Sequence, residues 1–128
     1  MSSLNLSYND LGQDSILTLQ PILSTIVELN LSSTKMTNKS LQDLVQTFKK
    51  QEMKLETLDI HSNQITTEGF YRLMVCLKAN NKVKTLNISR NKIADDLKMF
   101  KQVHKFLNCN KVLENLDMSF CDINVKAA

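Results

Sequence analysis

Residues 55–65, with the sequence LETLDIHSNQI, carry the pattern that decides the fold of this chain. The pattern is LxxLxLxx(N/T/C)x(L/I/M), in which L stands for leucine or a similar apolar residue, and it occurs five times, starting at residues 1, 26, 55, 83 and 113. The intervals between these starts are 25, 29, 28 and 30 residues. Self-similarity at a period of roughly 20 to 50 residues is typical of a solenoid.

Each copy of the pattern predicts one strand followed by one helix. The alternation in residues 56–60 is that of a strand with one buried face. Apolar residues then recur every three or four positions, which puts them on one face of a helix. These residues are Leu41, Leu44, Val45 and Phe48, then Phe70, Leu73, Met74 and Leu77, then Leu97, Phe100, Val103 and Leu107. Pro21 predicts that the first helix is short or kinked.

The five copies resemble the leucine-rich repeat, and their long interval is similar to that of the ribonuclease-inhibitor-like subclass. This resemblance implies an α/β solenoid of about five repeats: a curved right-handed stack with a concave parallel sheet and convex helices. We expect residues 1–128 to form a single array that is a fragment of a longer one. In this family the ninth position of the repeat forms an internal polar ladder, which here would consist of Asn9, Thr34, Asn63, Asn91 and Cys121.

Composition excludes several classes of protein. Two Gly and one Pro leave no room for a phosphate-binding loop, and no apolar stretch approaches the roughly 20 residues that span a bilayer. The three cysteines form no CxxC pair, which argues against a disulfide framework or a zinc site. Three Asn-x-Ser acceptors in the sheet would place glycans on the concave face. We therefore expect an intracellular, cytoplasmic protein without a cofactor.

Catalytic and ligand-binding chemistry was sought in the residues themselves. Asp59, His61 and Ser62 superficially form a catalytic trio, but no third group evidently orients the imidazole as a general base requires. A metal site built from His61, Asp59 and Glu28 has too few ligands. The lysines behind the net charge of +3 fall on the helices and returns, without the interleaved aromatic residues of single-strand binding. We expect no enzyme, no metal and no nucleic-acid partner.

The concave sheet face is the candidate site for a protein partner. Its predicted binding residues are Tyr8, Glu28, Asn30, Asp59, His61, Asn87, Arg90, Asp117 and Phe120. We expect a non-catalytic scaffold in a larger intracellular assembly, cytoskeletal or ciliary, whose array ends dock on neighbouring subunits or further repeats. The alternative is an enzyme regulator, of the small-GTPase activator or enzyme-inhibitor type, acting through Arg90.

Overall fold

The computed structural model describes residues 3–12, 14–78, 82–93 and 97–118. Within these ranges strands alternate with helices. The strands are β1 (Ser3–Asn5), β2 (Glu28–Asn30), β3 (Thr57–Asp59), β4 (Thr85–Asn87) and β5 (Asn115–Asp117). The helices are α1 (Ser15–Leu23), α2 (Asn38–Lys50), α3 (Thr67–Lys78) and α4 (Leu97–Cys109). This is the α/β leucine-rich-repeat solenoid that the sequence predicts, with the sheet on the concave side.

The sheet is parallel, and its strands follow chain order from β1 to β5. The pairing keeps one register throughout, so the central leucine of each strand lies beside that of the next, as Leu58 does beside Leu29 and Leu86. Because side chains alternate along a strand, this register sends a continuous row of leucines into the core.

A second set of backbone contacts joins the repeats beyond the strands. The Gln64 N–H donates to the Met36 carbonyl at 2.8 Å, and the Lys92 N–H donates to the Ile65 carbonyl at the same distance. These bonds satisfy backbone groups at the turn into each helix that would otherwise be unpaired. Neighbouring repeats are therefore held at two levels, along the strands and along the turns.

The core is one apolar layer between sheet and helices. Leu58 and Ile60 of the third repeat are fully buried, as are the Ile65 and Phe70 that follow them. The second and fourth repeats add equivalent buried sets, and the strand residues of the first and fifth repeats pack against this core at partial exposure, so the core runs along the array as solenoid stacking requires.

The helices bury the faces that their apolar spacing predicts. Leu41, Leu44 and Val45 of α2 are buried, with Phe48 packed against the core at partial exposure. In α3 the buried residues are Phe70, Leu73, Met74 and Leu77. Helix α1, which contains Pro21, has nine residues against 12 or 13 in the others.

Helix α4 buries a residue in addition to its predicted stripe. Val103 packs against the core, but the buried residue that follows it is Phe106, which the spacing analysis did not include. The side chains of Leu97, Phe100 and Leu107 lie outside the description. Val103 and Phe106, three positions apart, therefore both contact the core.

A polar link sets the distance between α2 and α3. The Oδ1 atom of Asn38 accepts a hydrogen bond from the Thr66 N–H at 3.0 Å, and its Nδ2 atom donates to Thr66 Oγ1 at 2.6 Å. Gly69 lies against this amide, and a Cβ atom there would overlap Asn38 Oδ1 and come within 3.3 Å of Ile65. The glycine therefore permits the close approach of the two helices.

Candidate protein-interaction surface

The concave face presents rows of side chains that run across the strands. The unshifted register places Asn30 beside Asp59, and Asp59 beside Asn87. Asp117 continues the same row on β5, and Asn5 begins it on β1. The row of these five residues is called the Asx row below. The sheet thus brings together predicted binding residues that lie about 30 positions apart in sequence.

The Asx row has a structural task of its own. In Asn5, Asn30, Asp59 and Asn87 the Oδ1 atom accepts a hydrogen bond from the backbone N–H two residues further on. The N···O distances are 2.9, 3.0, 3.1 and 3.0 Å in that order. Such local bonds hold the backbone as it leaves the strand. One acceptor of each side chain is therefore engaged internally, and a role in partner binding remains a prediction for the other atoms.

At the position two residues after the Asx row, the third repeat has a different residue from the second and fourth repeats. Ser32 and Ser89 are buried, and each donates its hydroxyl to the Oδ1 atom of the Asx-row residue in its own repeat at 2.7 Å. His61 occupies this position in the third repeat, and its Nδ1 atom hydrogen-bonds Asp59. The two side chains are 27% and 25% exposed. Asp59 therefore orients an imidazole near the centre of the concave face.

The next position forms a row of left-handed residues. Tyr8, Ser33, Ser62 and Arg90 have φ angles of 63°, 53°, 56° and 56°. This conformation is uncommon outside glycine, and its recurrence defines a tight turn at the end of each strand. Tyr8 is 81% exposed and Arg90 is exposed, so both lie where a partner could reach them. Phe120, predicted for the same row, lies outside the described residues.

The polar ladder is built around Asn63. Its Nδ2 atom donates to the carbonyls of Leu31 and Ile60, both at 3.0 Å. Its Oδ1 atom accepts from the backbone N–H groups of Thr34 and Met36 at 3.0 and 2.9 Å. One buried amide thus pairs backbone groups of two repeats, groups that would be costly to bury unpaired.

Asn91 repeats this arrangement one unit later. Its Nδ2 atom donates to the Ile60 carbonyl at 3.0 Å, and its Oδ1 atom accepts from the Ile65 N–H at 3.1 Å. Thr34 uses its hydroxyl to donate to a carbonyl of its own repeat at 2.7 Å. Cys121, predicted for the last rung, lies outside the described residues. These contacts give the ninth position a role in stacking repeats.

Charges divide between the two faces. The predicted concave residues include Glu28, Asp59 and Asp117, against Arg90. The four helices carry eight lysines or arginines and two acidic residues, a balance of +6 in a chain of net charge +3. The concave face is therefore suited to a partner surface with positive charge.

Among the described residues, no three His, Cys, Asp or Glu side chains come together in a group that could hold a metal ion. In the described part of the chain, none of the helices has the length and apolar character needed to cross a membrane.

Comparison with known sequences identifies the repeats. The profile of the family described as "Leucine Rich repeat" matches residues 51–74 and 79–96. A curated relative, "FERM domain-containing protein C" of Dictyostelium discoideum, is 30% identical over 97 residues, which are 75% of this chain. The chain spans only 6% of the length of that relative.

Comparison with solved structures identifies the fold. The structure titled "Leiomodin-1 Actin-Binding Site 2 (ABS2)" superposes with a TM-score of 0.82 at 20% identity, covering 94% of this chain and 71% of that one. The tropomodulin C-terminal domain of Caenorhabditis elegans gives a TM-score of 0.82 at 15% identity, covering 99% and 77%.

The repeats and the fold together show that this chain folds as a leucine-rich-repeat solenoid. They do not distinguish the ribonuclease-inhibitor-like subclass from others.

Two features of the surface were missed by sequence reasoning. The Asx row was assigned to binding alone, although asparagine or aspartate two residues before a turn is itself a signal for local backbone capping. The outer faces of α2 and α3 were considered only for the basic residues that they carry. The exposed Tyr71 and Val75, one turn apart on α3, could have been found as apolar residues outside the predicted buried stripe.

Proposed function

We propose that this chain is a non-catalytic scaffold that binds a partner protein through the concave sheet face. The observation that carries the proposal is the unshifted register of five strands, which aligns five of the predicted residues across the sheet: Glu28, Asn30, Asp59, Asn87 and Asp117. A surface held by backbone ladders and buried asparagines loses little conformational freedom on binding, and this favours affinity. The proposed binding residues remain Tyr8, Glu28, Asn30, Asp59, His61, Asn87, Arg90, Asp117 and Phe120.

We further propose an intracellular setting in the cytoskeleton. Support comes from the fold neighbours, one of which is titled as an actin-binding site and another as a tropomodulin domain, and from the FERM-domain relative. Actin is therefore the first partner to test. The relatives give no support to an enzyme regulator or to a ciliary location. The repeat interval of 25 to 30 residues, with a full helix in most repeats, is the support for the ribonuclease-inhibitor-like subclass.

The same proposal includes a larger parent molecule. The match to 6% of a much longer relative supports the interpretation that residues 1–128 form one array within a longer chain. In that setting the two ends of the array would contact further repeats or neighbouring subunits.

Binding to labelled monomeric actin, measured by fluorescence anisotropy, tests the partner and the face together. Glu28 is exposed on the concave face, so Glu28→Lys should weaken binding by about tenfold through lost charge complementarity. The matched control is Glu68→Lys, which makes the same change at an exposed residue of α3.

Equal loss in both variants would reject the concave face, and no binding by the unmodified chain would reject actin. Cross-linking mass spectrometry of partners captured by the full-length protein then tests the scaffold role. Cross-links confined to the convex helices would contradict it.

A further inference from the structure

A groove on the convex side lies between α2 and α3. It has a volume of about 210 Å³ and is lined by Leu41 and Val45 from α2 and by Tyr71 and Val75 from α3. Gly69 and Asn38 also line it. An apolar groove between two helices is the kind of site into which a third helix can place its own apolar face.

Tyr71 and Val75 form an apolar ridge beside this groove. They are 40% and 54% exposed, although both are large hydrophobic residues. Their spacing of four residues puts them on one face of α3. The same two residues line a smaller groove of about 160 Å³ against α4. Neighbouring exposed apolar side chains next to grooves indicate an interaction site.

Positive charge surrounds the ridge. Lys49 and Arg72 line the first groove, and Lys78 and Lys105 line the second. Lys49 and Lys78 are exposed and make no ion pair within the ranges that the structure describes. Among the described residues Arg72 pairs only with the exposed Glu68 of its own helix, at 3.0 Å, and a contact of that type is weak. The apolar groove therefore has a cationic rim that its own chain leaves largely uncompensated.

We propose that the groove between α2 and α3 binds an acidic amphipathic helix of a partner protein. Leucine-like residues of that helix would enter the groove beside Tyr71 and Val75, and its carboxylates would face Lys49 and Arg72. A nucleic acid would use the cations but not the apolar groove, so the combination favours a helix. This site is separate from the concave face and does not depend on the function proposed above.

The test uses a fluorescent synthetic helix of about 20 residues with leucines spaced i, i+3, i+4 and i+7 and glutamates elsewhere. Anisotropy should report binding to the full 128-residue chain that weakens with salt, since exposed charges are screened. Val75→Glu should weaken it by about tenfold or more, because it puts a repelling charge at the apolar ridge. Lys49→Glu should act in the same direction.

Two matched controls separate the groove from general charge. Leu17→Glu makes the same change at an exposed apolar residue of α1, and Lys101→Glu makes it at an exposed lysine that lines neither groove. Both should bind as the unmodified chain does, with unchanged circular dichroism. A scrambled peptide of equal composition should not bind.

The proposal is overturned if the amphipathic peptide fails to bind, if Val75→Glu binds it unchanged, or if the scrambled peptide binds equally well. It is also overturned if a single-stranded oligonucleotide or anionic phosphatidylserine vesicles occupy the site while the peptide does not.

Discussion

The side chain of Asn63 shows what one buried residue contributes to this array. It is 7% exposed and satisfies backbone groups of its own repeat and of the repeat before it. Replacement by alanine would leave several donors and acceptors buried without partners. A residue of this kind stabilises the junction between two repeats more than it stabilises either repeat alone.

We expect Asn63→Ala to lower the free energy of unfolding by about 1 to 3 kcal/mol, the cost of leaving a buried polar group unsatisfied. Urea denaturation, monitored by circular dichroism, measures this change in the free energy of unfolding. Asn9→Ala is the matched control, because Asn9 is exposed and its side-chain bonds within the described part of the chain go to carbonyls of its own repeat. A loss at position 9 equal to that at position 63 would contradict the bridging role.

Cys76 on α3 gives a pH-dependent prediction. Burial disfavours the thiolate and raises the pKa of this thiol above the ordinary 9.0, while the nearby Lys49 charge lowers it by a smaller amount. The folded state therefore keeps its proton where the unfolded state loses it. This contribution to stability is complete below about pH 9 and is lost as the pH rises through the folded pKa.

Alkylation of Cys76 by iodoacetamide, read by peptide mass spectrometry, should be slower in the native chain than in the unfolded chain at about pH 8, because the thiolate is the reactive form. Lys49→Ala should slow it further by raising the pKa, and Lys50→Ala, one residue away, should have a smaller effect. Faster alkylation in Lys49→Ala would show that the sign of the charge effect is wrong.

At the scale of elements, helix packing depends on the contact between Asn38 and Gly69. Gly69→Ala should remove the Asn38–Thr66 link, costing about 0.5 to 1.5 kcal/mol per hydrogen bond. The gain from replacing glycine inside a helix is only about 0.5 to 1 kcal/mol. The lost hydrogen bonds should outweigh this gain, so thermal unfolding of the single variant should show net destabilisation.

A double-mutant cycle isolates that contact. In an Asn38→Ala background the obstructing amide is gone, so Gly69→Ala should become neutral or stabilising. The cycle is read from urea unfolding curves of the four proteins. Equal costs in both backgrounds would mean that the close approach of Gly69 to Asn38 does not set the helix spacing.

The buried face of an element was predictable where a single periodicity defined it. It was not predictable where two neighbouring apolar residues both fitted the periodicity. Alternation identified the strands, and steps of three or four residues identified the helix faces. Phe106 and Leu107 both continue the stripe from Val103, so the spacing alone does not predict that Phe106 is buried. The grooves beside Tyr71 and Val75 depend on helix spacing, which the sequence does not specify.

The concave face was likewise predictable only in part. Its location follows from the strand pattern alone. Whether an outward asparagine serves the backbone or a partner depends on local turn geometry, and Asn30 and Asn87 show that one atom is committed to the backbone. Rows of identical residue types are expected under either role, so repetition alone could not decide between them.

At the scale of the whole molecule, stability is shared because no repeat encloses its own core. Leu58 is fully buried in the central repeat and lies between Leu29 and Leu86. In a linear stack each repeat contacts only its neighbours, so damage at the centre weakens both adjoining interfaces. Loss of one central side chain should therefore destabilise three repeats.

Leu58→Ala should cost about 2 to 5 kcal/mol, the range for deleting a buried leucine. Hydrogen exchange should then accelerate together in β2, β3 and β4, since these strands lose shared packing. Leu4→Ala is the control, because Leu4 is only partly buried on β1, and it should cost less and affect β1 and β2 alone. Acceleration confined to β3 in the Leu58 variant would show that the repeats unfold independently, contrary to a shared core.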